Sequence, residues 1–284
     1  MWSLYHGILL CMKTVRFASK CSHCFRFDFN LCPATRKIPW STTPSSWSGR
    51  RNLLKSDDFS GIVRTSTEED IWRRSLLTSL PPWCSFVGVT CDTDNLSMTY
   101  ASVIDISLAA LNLAGTIPGS ISFLTALQVL HLYSNQLSGT IPSGISLLTA
   151  LQELVAFTNR LTGSIPSGIG SLKVLRYLNA GANQLVGTIP SSISLWTVLY
   201  KLHLDKNQLA GSIPSGISLL TALQDLHLYT NQLTGSIPSG IGSLTALQYL
   251  WLDMNQLIGT IPSTFSNLIQ LSSLHLYSNY LTME

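Results

Sequence analysis

Charge is scarce in this chain. Lys, Arg, Asp and Glu make up 11% of its 284 residues, against 45% hydrophobic residues, so it can bury a large core. The net charge of +3 is not spread evenly. Residues 1–55 hold nine Lys/Arg against one acid, Asp28, and residues 56–100 hold three basic residues against seven acidic ones. From residue 101 onward the count is five against six. A nearly neutral C-terminal region excludes phosphate-driven binding, so no nucleic acid partner is expected. Long hydrophobic runs are missing too. No stretch reaches the ~18 apolar residues that span a bilayer, so no transmembrane segment is expected in this chain. Glycine-rich phosphate loops and a strained nucleophile are also absent, which argues against an enzyme.

What is present is a repeat. Asparagines recur at Asn135, Asn159, Asn183, Asn207, Asn231, Asn255 and Asn279. Prolines recur at Pro118, Pro142, Pro166, Pro190, Pro214, Pro238 and Pro262, each with a glycine three residues earlier, from Gly115 to Gly259. Two ladders holding one 24-residue period identify a solenoid. Within a unit, Val129 to Tyr133 alternates, with Leu130 and Leu132 on one face and Val129, His131 and Tyr133 on the other. Such alternation predicts a short, half-buried strand. The Asn amide that follows needs backbone partners in an apolar interior, in its own coil and in its neighbour. Gly139 permits backbone that a side chain would block, and Pro142 stops a long helix. Ile141, Ile145 and Leu148 fill the core from the far side. A single coil cannot bury its own apolar edge, so the coils must stack. The Asn ladder is therefore expected to be structural. Ala156 and Ala180 stand where other coils carry the second strand leucine, which predicts looser packing there.

The pattern L-x-x-L-x-L-x-x-N-x-L-x-G-x-I-P, running over 101–284, resembles the plant-specific class of leucine-rich repeats. The resemblance implies an α/β solenoid. It is expected to be a right-handed superhelix, with a parallel sheet on the concave face and short strands and 3₁₀ turns outside. The first coil departs from the pattern, with Leu111 in the Asn position. Upstream, Cys84-Ser-Phe86-Val-Gly88-Val89-Thr-Cys91 resembles the N-terminal cap of plant leucine-rich-repeat ectodomains, with Phe86 in the usual Trp place and Trp83 where many relatives carry a further cysteine. The resemblance implies a Cys84–Cys91 disulfide and an extracellular or cell-surface location, since disulfides persist in oxidising compartments. Ser66 to Glu69 reads as a capping box opening a short helix, with Trp72, Leu76 and Leu80 on one face, ended by Pro81 and Pro82. The sequon Asn95-Leu-Ser97 fits a secreted protein. Three regions follow: a poorly ordered basic extension over 1–60, the cap over 61–100, and the repeats over 101–284, which end without a C-terminal cap.

Two features near the N-terminus carry less. Met1 to Met12 is apolar, but Lys13 and Arg16 follow the run instead of preceding it, so it is a poor secretory leader and reads as an extension or a mis-assigned start. Cys21, His23, Cys24 and Cys32 could be drawn as a zinc site. No second C-x-x-C follows, and His23 lies inside the first pair, so no metal is expected. No cofactor is expected either.

The outward strand positions line up as columns, because adjacent strands lie about 4.8 Å apart. One reads His131, Val155, Asn179, His203, His227, Trp251, His275. The next reads Tyr133, Phe157, Gly181, Asp205, Tyr229, Asp253, Tyr277, and a third Val129, Glu153, Tyr177, Lys201, Asp225, Tyr249, Ser273. The predicted ligand-binding centre is Lys201, His203, Asp205, Asp225, His227, Tyr229, Tyr249, Trp251 and Asp253, where aromatics and both signs of charge meet. Copying of His-Leu-Tyr by repeat duplication is the plain alternative. Beside Tyr177, Asn179, Gly181 and Ala182 predict a shallow gap, which either seats a bulky ligand group or marks a coil with no role. Histidine here predicts binding that changes between about pH 5 and 7. A His203–His227–Asp205 acid–base or metal site is conceivable, but a flat face excludes water poorly, so no catalytic residue is assigned.

The resemblance is to receptor-like ectodomains and polygalacturonase-inhibiting proteins. It implies a non-enzymatic recognition module for a protein or peptide ligand, with a membrane-bound co-receptor as a second candidate partner. A structural or wall-associated scaffold is one alternative. Ice or polysaccharide binding is another, on the outer hydroxyl ladder Thr116, Thr140, Ser164, Thr188, Ser212, Ser236 and Thr260.

Overall fold

The computed structural model describes Cys84, residues 87–92 and residues 102–282. The basic extension, the Ser66–Leu80 helix, the upstream cysteines and Asn95 lie outside the described residues. The dominant element is a nine-stranded sheet running from Val89–Cys91 and Val103–Ser107 to Ser273–His275. Its first pair is antiparallel, and every later pair is parallel. Successive strands are three residues long after the second, and they pair in register at 24-residue offsets, as in Lys201 with Asp225 and Tyr249. The coils thus stack as a solenoid with this sheet along one side.

Each coil closes through the same chemistry. The strand leucines Leu202 and Leu204 point inward and are at most 1% exposed, as are Leu226 and Leu228. Pro142 precedes the 3₁₀ turn Ser143–Leu147, which places Ile145 and Leu148 in the core from the far side. Gly139 has φ +73°, and a Cβ there would lie 2.9 Å from Thr116 Cγ2 of the preceding coil. Trp196 replaces the usual leucine at the end of one turn. It is fully buried, and its indole N–H donates to the Ile169 carbonyl at 3.2 Å. Ala156 and Ala180 are both 2% exposed.

The outside is less continuous. Ala114–Thr116, Gln136–Thr140 and Arg160–Thr162 form one short sheet, Val186–Thr188, Gln208–Ser212 and Gln232–Thr234 a second, and Ile258–Thr260 with Tyr280–Thr282 a third. Both breaks follow a coil whose 3₁₀ turn reads Ser-Gly-Ile-Gly-Ser, at Ser167–Ser171 and Ser239–Ser243. At Gly170 and Gly242 the next turn comes so close that a side chain would strike the carbonyls of Ser192 and Thr264. At the N-terminal end, Cys84 and Cys91 form a disulfide with Cα atoms 5.6 Å apart, and Val89 and Cys91 cover the first coil. Among the described residues, no helix is long and apolar enough to cross a membrane.

Candidate functional site

Two polar systems run the length of the solenoid, one inside the coils and one on the sheet. The inner one is the Asn ladder. Asn207 shares its amide N–H groups among the carbonyls of Ala180, Leu204 and Asp205 at 3.0–3.1 Å, and its Oδ1 accepts from the Leu185 N–H at 2.9 Å. Asn135, Asn159, Asn183, Asn231, Asn255 and Asn279 repeat this arrangement, each accepting from the N–H 22 residues earlier. Every amide thereby ties its own turn to the coil before it. The residue preceding each Asn, such as Lys206 or Met254, sits in the left-handed region with φ 51° and 55°. That conformation costs free energy for a non-glycine residue, and the paired amide helps to hold it.

The outer system occupies the outward strand positions. His203, His227, Trp251 and His275 form one continuous stack. Ring centroids are 4.0 Å apart from His203 to His227 and 4.0 Å from His227 to Trp251, with planes within 10° and 3°. Trp251 to His275 follows at 5.0 Å and 5°. Tyr177 abuts His203 edge-on, and Tyr229 and Tyr249 both meet Trp251 edge-on. The stacking axis runs across the strands, so the rings turn their edges, not their faces, away from the sheet.

Charge sits on either side of this stack. Lys201 Nζ lies 3.1 Å from Asp225 Oδ2, and this hydrogen bond raises the Lys201 pKa. Asp205 leans toward the preceding coil, so close that a Cβ on Gly181 would lie 2.8 Å from its Oδ1. The predicted gap beside Tyr177 is therefore partly filled from within, by Asp205. The Tyr229 hydroxyl lies near the same carboxylate. Burial first, then the Asp205 charge, pushes the Tyr229 pKa up to about 12. Burial also raises the Asp205 pKa, against the lowering effect of the Tyr229 hydroxyl. Asp253 is 3% exposed, and its Oδ1 has no hydrogen-bond partner. The Tyr277 hydroxyl lies near enough to the Asp253 carboxylate for that charge to raise its pKa, and His275 Nδ1 stands 3.9 Å from Oδ1.

The histidines correct one expectation. Burial, followed by the neighbouring His227 and Lys201, pushes the His203 pKa down to about 3. His227 is lowered as well, again mainly by burial, although Asp205 and Asp225 act in the opposite direction. His203 is therefore neutral from pH 5 to 7 and does not supply the pH dependence that its residue type suggested, and His227 is pushed in the same direction. The physical reason is the stack itself, which removes water from both rings. The Nε2 atoms of His203 and His227 are buried without a hydrogen-bond partner.

Of the nine predicted centre residues, Tyr249 is exposed, Asp225 and Asp253 are buried, and the other six are half-buried. The fold brings them together on three adjacent strands and the turns that follow them. His275 and Tyr277 belong to the same cluster but were left outside the predicted centre, although the 24-residue register had already placed them in its columns. Lys206 was missed altogether. It lies outside the strand columns, yet its ammonium stands 5.7 Å from the centroid of the Tyr229 ring. The early coils carry a smaller cluster, with Tyr133 stacked on Phe157 at 4.8 Å and His131 paired with Glu153 at 2.9 Å. Among the described residues, no group of three or more His, Cys, Asp or Glu could hold a metal ion.

Comparison with known proteins agrees with this geometry. The family profile described as Leucine Rich Repeat matches residues 126–148, 222–244 and 246–268. A probable leucine-rich repeat receptor-like protein kinase of Arabidopsis thaliana is 37% identical over 78 residues, which are 28% of this chain and 8% of the kinase. The ectodomain of the Arabidopsis receptor kinase HAESA, solved with an N-terminally extended IDA peptide hormone, superposes with a TM-score of 0.63 at 33% identity, covering 76% of this chain and 38% of that one. The same receptor solved with IDA and the co-receptor SERK1 gives 0.59 at 29% identity, covering 76% and 42%. A plant ice-binding protein gives 0.53 at 26% identity, covering 71% of this chain and 79% of that one. The match to this chain thus spans less than half the length of the kinase and of both HAESA structures. The coils are leucine-rich repeats similar to those of plant receptor-like ectodomains.

Proposed function

We propose that this protein is a non-enzymatic recognition module of receptor or inhibitor type. It binds a peptide or protein on the concave sheet face, around Lys201, His203, Asp205, Asp225, His227, Tyr229, Tyr249, Trp251 and Asp253. The observation that carries this reading is the ring stack with carboxylates on both sides. It offers rigid aromatic edges and polar groups held by packing, the combination that anchors a ligand. HAESA, of the same fold, is solved with a peptide hormone and with a co-receptor, which supports a peptide ligand and a second protein partner here. The stack also bears on the ligand's chemistry. A pyranose ring packs on aromatic faces, and these rings present edges, which favours hydrogen-bonding peptide groups over a sugar. The Cys84–Cys91 disulfide favours an extracellular or cell-surface location.

The test is a screen of secreted proteins and peptides against the wild-type chain and a Trp251→Ala, His227→Ala double variant. Ligands found on the wild type should lose most of their affinity for the variant. Ligands that bind both equally would move the site elsewhere.

A second reading rests on the outer hydroxyl ladder, which is exposed from Thr116 through Ser236, and on the likeness to a plant ice-binding protein. The ladder is interrupted at both breaks in the outer sheet, and three of its seven members are serines without the threonine methyl. Thermal hysteresis that vanishes when Thr140 and Thr188 are replaced would favour that reading over the first.

A further inference from the structure

We propose that the aromatic cluster over Asp253 receives a cationic side chain, arginine or lysine, from the peptide bound on this face. The proposal deepens the reading above and rests on it. It begins from an inventory of charge. The outward positions of the strands and turns from Lys201 to Asp253 carry Asp205, Asp225 and Asp253 against Lys201. Lys201 is engaged by Asp225 at 3.1 Å. Lys206 stands at the Tyr229 ring, on the Asp205 side. Among the described residues, no Lys or Arg pairs with Asp253. The nearest basic nitrogen recorded for it is His275 Nδ1 at 3.9 Å, beyond hydrogen-bond reach.

Asp253 is also the most deeply placed carboxylate of the three, at 3% exposure, with Oδ1 unpartnered. A buried carboxylate oxygen without a donor is costly, and a guanidinium or ammonium supplies the donor and the opposite charge together. The surroundings suit a cation. Tyr229 stands outside the parallel stack, edge to face with Trp251 at 5.9 Å, and it is the face of such a ring, not the edges that the stacked rings present, that attracts a cation. Lys206 over the Tyr229 ring is an instance within the molecule itself. The cover over Asp253 is light. Tyr277 stands beside its carboxylate but is 60% exposed, so it can turn aside with little loss of packing. A metal ion is disfavoured, since no third ligand lies close enough among the described residues.

The experiment selects random twelve-residue peptides by display on the full chain and on two variants, Asp253→Asn and the Trp251→Ala, His227→Ala pair. Selected peptides are resynthesised with acetylated and amidated ends, so only side chains carry charge. Wild-type selections should be enriched in a single Arg or Lys. Replacing that Arg by citrulline, or that Lys by acetyl-lysine, should weaken binding about 10-fold to 100-fold, the range of a charge-assisted hydrogen bond. The loss should be small on Asp253→Asn, where the charge is already gone. Peptides without a basic residue, or equal binding of the citrulline and acetyl-lysine forms, would overturn the cation site while leaving the peptide reading intact. Peptides that bind the double variant as well as the wild type, or no enriched peptide at all, would overturn the peptide reading and this proposal with it. The citrulline arm does not depend on any protein variant, so poor folding of Asp253→Asn leaves the test decisive.

Discussion

The Asn ladder and the ring stack are built from the same 24-residue period, yet their polar atoms meet opposite fates. Inside the coils, Asn207 has four backbone partners, and Asn135, Asn231 and Asn255 are served as fully. On the sheet face, His203 Nε2, His227 Nε2 and Asp253 Oδ1 are equally hidden from water and have none. A buried polar group left unpaired is a cost to folding. The ladder thus does what stacking requires in every coil, whereas the unpaired atoms contribute nothing to stacking. They are consistent with a face shaped by something other than stability. The outward column also changes from coil to coil, from Val155 and Asn179 to His203, His227 and Trp251, while the Asn position holds from residue 135 to 279.

The comparison can be broken most forcefully at the ladder. Asn207→Ala leaves the Leu185 N–H and the shared carbonyls of two coils short of partners. Each group that remains buried costs about 1–3 kcal/mol, so a loss of about 3 kcal/mol or more is expected, read as a lower denaturation midpoint. An unchanged midpoint would mean that water replaces the amide.

A smaller effect is expected from pH, and its sign follows from the histidines. The folded-state pKa of His203 is about 3, below the ordinary histidine value of 6.5, and His227 is lowered too. Between those pH values the unfolded chain binds more protons than the folded one. Stability contributed by the neutral rings is therefore present above pH 6.5 and is lost as pH falls toward 3. Asp205, whose pKa is raised, acts the other way in the acid range, so the informative quantity is a difference between proteins. Wild type should lose stability on acidification faster than His203→Phe, by at most about 1.4 kcal/mol per pH unit. Equal slopes would show that His203 is protonated in the folded protein.

The smallest effect sharpens the contrast. At pH 7, His203→Phe keeps a ring in the stack, removes the unpaired Nε2, and gives up only a long 3.5 Å contact between Nδ1 and the Asn179 amide. Stability should stay within about 1 kcal/mol of wild type or rise, because replacing an unsatisfied polar group by an apolar one of like shape is nearly neutral. A larger fall in the unfolding midpoint would mean that Nε2 has a partner in solution.

Much of this was legible in the sequence, because a fixed period converts position into place. The register that pairs His203 with His227 and Trp251 follows from counting 24, and so do the Asn ladder and the inward leucines. What was not legible depends on side-chain direction. Gly181 reads as an empty place, but the neighbouring Asp205 leans over it. Histidine reads as a titrating residue, but parallel stacking at 4.0 Å takes its water away. The breaks in the outer sheet have a sequence signal, Gly170 and Gly242, whose meaning appears only once the next turn is seen to close upon them.

The most direct test of the account measures stability and peptide affinity together in two proteins, Asn207→Ala and the Trp251→Ala, His227→Ala double variant. The account predicts a crossed result. Asn207→Ala, held below its melting temperature, keeps the wild-type affinity for a selected peptide while its unfolding midpoint falls by about 3 kcal/mol or more. The double variant loses affinity at least about tenfold, as truncation of anchor residues does, while remaining folded at the same temperature. If affinity falls with the ladder and survives loss of the rings, the division between an inner frame and an outer recognition face is contradicted.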